Sequence, residues 1–250
     1  MATTEQKRQK KLVKQRSKAL KQRRQIARKR NEMKSLSGRL RAISHFPVAV
    51  SQIGEGAYEP VGMSTVFFGR QLSDGRIMLA VYLIDLGCLG VKDSYVRLVT
   101  KSELADFQSR ANENQTLVTV QPSVVLSLVE QAVEYARSIG FEPRGDYAKM
   151  RPIFGDIDAG DCSEKFPFGD EDGKPLYVRG PNETLEQASV IRNRLETKLG
   201  KDNFDYIVPI HPSGRDFPDL ELFEDGEMID GSDGTHGRVA NADELMEDAG

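Results

Sequence analysis

Ile77-Met78-Leu79-Ala80-Val81-Tyr82-Leu83-Ile84 is an unbroken apolar run. A membrane-crossing helix takes about 20 such residues, so the run is too short to span a bilayer. A strand apolar on both faces must be covered on both faces, so it reads as a central strand packed between two layers. Upstream, Met63 to Leu72 supplies its partner, and Ser73-Asp74-Gly75 joins the two. Asp-Gly marks a hairpin, because both residues tolerate positive φ. Val48 to Ile53 precedes it as a short strand, with Gly54, Glu55 and Gly56 as a turn.

Outward from this sheet the pattern turns helical. Thr100 and Glu103 have capping-box spacing, which predicts a short helix over Lys101–Arg110. Pro122 suits a first helical turn, and Val124, Val125, Leu128, Val129, Ala132, Val133, Ala136 and Ile139 then form a broad apolar face. Gly140 ends that helix. Residues 141–174 are rich in Gly, Pro and Asp and read as loops with short elements. Leu176 to Arg179 reads as a strand. Asn182 is the expected cap of a helix over Glu183–Leu199, with Leu185, Ala188, Ile191, Leu195 and Leu199 inward and Gly200 as its stop. Phe204 to Ile210 is the last expected strand. These elements predict an α+β fold: one core over residues 44–210, with an antiparallel or mixed sheet and two long helices.

The two ends of the chain differ in charge. The net charge of −3 conceals a segment, residues 1–42, with eight Lys and eight Arg against Glu5 and Glu32, a net of +14. Residues 211–250 carry two Arg against twelve Asp and Glu, a net of −10. Residues 5–34 lack Gly and Pro and are mostly helix formers, so they predict a basic helical arm. Its narrow apolar stripe is Leu12, Ala19, Ile26 and Met33 beside Val13, Leu20 and Ala27, and Ser35, Ser37 and Gly38 mark its end. The acidic tail, poor in apolar residues, reads as disordered.

Such an arm binds polyanions by releasing their counterions. Its candidate nucleic-acid contacts are Lys10, Lys11, Lys14, Arg16, Lys18, Lys21, Arg23, Arg24, Arg28, Lys29 and Arg30. Without interleaved aromatics it predicts low sequence specificity, and the absence of a base-reading motif favours RNA, with the ribosome as one target. The acidic tail offers a second ligand for the arm inside the same chain. A solvated tail, a localisation signal and anionic lipid are the other readings of a charge run.

Chemistry is harder to place. Asp85, Cys88, Lys92 and Asp93 cluster just after the central strand, where a cation could activate the thiol and a carboxylate could serve as acid or base. Small buried cysteines are also common in cores, and the glycines here suit a tight turn. Cys88 and Cys162 stand in no paired motif and read as free thiols. Asp156, Asp158 and Asp161 fail the register of a calcium loop, because Gly160 precedes Asp161. His45, His211 and His236 are scattered, and no metal, P-loop, dinucleotide or nucleophile-elbow motif is present. The sequence therefore names no metal and no cofactor. With no secretory signal pattern, the expected location is the cytoplasm.

Asp85-Leu86-Gly87-Cys88-Leu89-Gly90-Val91-Lys92-Asp93 is the most distinctive stretch. With Tyr135 to Pro143 and Gly173 to Pro181, it resembles a group of uncharacterised bacterial proteins. That group shares an Asp-x-x-Cys-Leu-Gly-Val-Lys segment and a Lys/Arg-rich N-terminal extension. The resemblance spans about residues 1–200, and where the group carries a His after the Pro, this chain has Arg144. It implies one folded core with an arm and brings no activity with it. Three functional expectations follow: non-catalytic, low-specificity RNA binding through the arm; an enzyme built on Asp85, Cys88 and Lys92; or a protein–protein adaptor.

Overall fold

The computed structural model describes residues 14–27 and 33–208. Five strands form an antiparallel sheet in the order β4-β3-β2-β1-β5: β1 Val48–Gly54, β2 Met63–Gln71, β3 Ile77–Asp85, β4 Gly90–Val99 and β5 Leu117–Thr119. The apolar run is β3, flanked by β2 and β4 and covered on both faces. Ala80, Tyr82 and Ile84 point to one face, where helix Pro122–Ser138 lies across them with Val125, Leu128, Val129 and Ala132. Leu79 and Val81 point to the other, against Leu104 and Phe107 of helix Lys101–Asn112. Strand alternation thus splits one continuous apolar segment between two cores.

Among the described residues, and apart from the arm helix at 14–27, four helices of eight or more residues surround the sheets: α1 Leu36–Ile43, α2 Lys101–Asn112, α3 Pro122–Ser138 and α4 Leu185–Leu199. Beyond the main sheet, β6 Leu176–Val178 and β7 Asp205–Ile207 form a separate parallel pair. With α4 and the end of α3 they enclose a third cluster, which includes Tyr177, Ile191, Leu195 and Phe204. The fold is therefore mixed α+β, with an antiparallel sheet and a second, smaller parallel sheet.

Several local expectations change. Ser35 lies in the break between the arm helix and α1, while Ser37 and Gly38 belong to α1 itself. The Ser35 side chain accepts the Gly38 N–H at 3.1 Å and caps α1, which drives Leu40 fully into the main core. Core packing therefore begins at α1 rather than at residue 44. At the hairpin tip only Gly75 adopts positive φ, while Asp74 accepts the Arg76 N–H through its side chain. The result is a three-residue loop closed by Leu72 and Arg76. The cap of α4 is Thr184, not Asn182. Thr184 and Gln187 complete a capping box, and Leu185 sits 61% exposed. β4 and β5 form where no strand was expected. β4 survives as a strand despite Lys92, Asp93 and Arg97 because it pairs with β3 along its length. Among the described residues, no helix is long and apolar enough to cross a membrane. The acidic tail lies outside the described residues.

Candidate functional site

The turn from β3 to β4 brings three of the four sequence candidates together. β3 delivers Asp85 at its end. The Asp85 carboxylate accepts the Cys88 N–H at 3.0 Å and folds the turn back on itself. Burial pushes its pKa up, while Lys92 and the backbone N–H groups of Cys88 and Leu89 pull it the other way. Gly90 then takes positive φ with its α-carbon against the Ala132 carbonyl of α3, a position with no room for a side chain.

Lys92 owes its direction to a bulge. Leu83 pairs with Asp93 and Ile84 with Val91, so Lys92 is the extra residue between them. A bulge re-aims a side chain. Here Lys92 Nζ meets Glu183 Oε1 at 3.2 Å, with the two side chains 15% and 10% exposed. Glu183 Oε2 accepts the Tyr177 hydroxyl and the Gly180 N–H, each at 2.9 Å. Burial alone would raise the Glu183 pKa, but the Gly180 N–H, Lys92 and Tyr177 outweigh it and hold Glu183 below the usual glutamate range. Gly87 completes the ring: its carbonyl accepts the Leu176 N–H and the Tyr135 hydroxyl, each at 3.0 Å. The distinctive segment thus fastens the main sheet to the β6/β7/α4 unit.

Cys88 is fully buried in the third cluster. Burial, reinforced by the Asp85 and Glu183 charges, pushes its thiol well up, and the cation expected to activate it is engaged by Glu183. A thiol in that state is neither exposed nor a thiolate, and attack as a nucleophile needs both. Asp93 does not join the network; its Oδ1 takes the adjacent Ser94 N–H at 2.7 Å. A shallow depression lined by Gly140, Asn193, Arg194, Thr197 and Lys198 includes none of the four candidates. Among the described residues no group of three or more His, Cys, Asp or Glu side chains is placed to hold a metal ion. Sequence reasoning missed Glu183, Tyr177 and Tyr135. Glu183 read as the first helical residue of α4, and the only hint of its role was that a lysine entering an apolar turn needs a carboxylate somewhere.

The second set of candidates behaves in the opposite way. Residues 14–27 are helical and exposed at every position. Lys14, Arg16, Lys18, Lys21, Arg23 and Arg24 project from that helix, and Leu20 and Ile26 are 52% and 59% exposed. Lys10, Lys11, Arg28, Lys29 and Arg30 lie outside the described residues. No acidic residue occurs between Lys14 and Ala27.

Comparison with family models, with curated proteins and with solved structures finds no match for this chain.

Proposed function

We propose that this protein is a non-catalytic RNA-binding protein whose N-terminal arm is the RNA contact, with structured RNA such as that of the ribosome as its target. The observation that carries the reading is the arm helix: six exposed cations in fourteen residues, with no acid among them. Their mutual repulsion destabilises the helix in isolation, and a polyanion relieves that repulsion. The buried Cys88 thiol and the pairing of Lys92 with Glu183 count against the enzyme reading built on Asp85, Cys88 and Lys92. In this reading the protein works in the cytoplasm, the core positions the arm, and the acidic tail competes with RNA for it.

The test is RNA affinity against salt in the full-length protein. If about 8–10 phosphates are contacted, affinity falls with a log–log slope of roughly −6 to −9. Replacing Lys14, Arg16, Lys18, Lys21, Arg23 and Arg24 with Gln should flatten that slope and weaken binding. Substitution is cleaner than truncation at residue 42, because that cut removes the buried Leu40 of α1. No binding at low salt would refute the reading.

A further inference from the structure

The six described arm cations are sorted around their helix. At about 100° per residue, Lys14, Lys18 and Lys21 fall within about 60° of one another. Arg16 and Arg23 lie within about 20° of each other on the opposite side, and Arg24 stands between the two faces. The same geometry puts Ala19 and Ile26 on one flank of the arginine pair and Leu20 and Ala27 on the other. Gln25 sits among the lysines.

The two faces suit different chemical groups. An ammonium is a point charge that pairs with a phosphate from any direction. A guanidinium is a planar fork that matches the O6 and N7 edge of guanine and stacks on flat rings. Apolar flanks accept base edges and would strip water from phosphates to no benefit. The arginine face is therefore built for bases and the lysine face for phosphates.

That division selects the shape of the ligand. A lipid surface requires an uninterrupted apolar face, and here Arg16 and Arg23 occupy its centre. A single strand tracked along one side leaves the opposite face idle. The major groove of B-form DNA is about 8.5 Å deep, so a helix about 10–12 Å across keeps its outer face in solvent. The groove of an RNA helix is deeper, and its phosphate rims rise past an inserted helix on both sides. Being narrow, it admits a helix only where a bulge or internal loop opens it.

Resting on the RNA reading above, we infer that the arm helix inserts into the deep groove of RNA helices interrupted by a bulge or internal loop. Arg16 and Arg23 meet guanine edges on the groove floor, and Lys14, Lys18 and Lys21 meet the phosphate rims.

The decisive experiment swaps cations without changing charge, in the full chain. Arg and Lys have similar helix propensity, so both Arg16→Lys/Arg23→Lys and Lys14→Arg/Lys21→Arg keep the helix and its charge. Fluorescence anisotropy reads binding to four probes: an RNA hairpin with a guanine-flanked bulge, the same hairpin without the bulge, a single-stranded RNA and the matching DNA duplex. Arg16→Lys/Arg23→Lys should weaken binding to the bulged hairpin at least about tenfold, with the salt slope unchanged. Lys14→Arg/Lys21→Arg should stay within about twofold of the parent. The parent should prefer the bulged hairpin to the other three probes. Equal responses to the two swaps, or equal or tighter binding to any other probe, would overturn the groove inference while leaving charge-driven RNA binding in place. No binding to any probe at low salt would overturn both.

Discussion

The β3–β4 turn and the arm helix hold the two densest sets of charged candidates in the sequence, and they sit in opposite environments. In the turn, Asp85 is buried and Lys92 half-buried, and each meets a partner supplied by the fold: Glu183 for Lys92, and the Cys88 N–H for Asp85. In the arm, all six described cations stand in solvent. Charges paired away from water hold structure together, because removing one partner strands the other in a low-dielectric interior. Exposed like charges repel one another and attract an oppositely charged partner. Charge density alone does not distinguish the two cases; the company each charge keeps does.

The largest expected effect tests whether the turn is a closed network. Lys92→Met leaves the Glu183 carboxylate buried without its cation and should cost about 3 kcal/mol in chemical denaturation. Adding Glu183→Gln should recover part of that loss, because the stranded charge is gone. A neutral Lys92→Met would break the comparison by showing that the turn does not depend on its ion pair.

A smaller effect lies in pH. Burial raises Asp85, so the folded protein holds that proton more tightly than the unfolded chain does. Its contribution to stability is full below the ordinary aspartate range, near pH 4, and is lost as pH rises through the folded pKa. Glu183 is lowered and acts with the opposite sign: its contribution is present above the ordinary glutamate range and lost on acidification through its folded pKa. Asp85→Asn retains an oxygen for the Cys88 N–H. It should therefore flatten the decline on the alkaline side, and Glu183→Gln the decline on the acid side, as read from denaturation midpoints against pH. Unchanged profiles would show that neither group titrates with folding.

The smallest stability effect belongs to the arm. Replacing its six described cations with Gln should change the unfolding free energy by less than about 0.5 kcal/mol, because every position is exposed. A large loss would mean that the arm holds the core together.

Local pattern was a good guide wherever a short-range rule decided the outcome. The Thr100–Glu103 box caps α2, Pro122 opens α3, Gly140 and Gly200 take positive φ just past α3 and α4, and Asp74-Gly75 turns the hairpin. It failed where the deciding partner is distant. β4 carries the charges of a loop and becomes a strand through pairing with β3. Leu40 looks like arm and packs as core. Arg70 shows the same limit. No short-range pattern singles it out, yet its guanidinium is buried and donates to the carbonyls of Phe46, Ile153 and Phe154.

The sequence by itself determined the two-faced central strand, the long apolar face of α3 and the opposed charges of the termini. These depend only on composition and on the repeat of a strand or helix. Only the tertiary structure decided that Cys88 is buried, that Lys92 is the bulged residue, and that Glu183, ninety-one positions away, is its counter-ion. The physical reason is that a charge acts through whatever lies within a few ångströms of it, and chain order does not encode that distance.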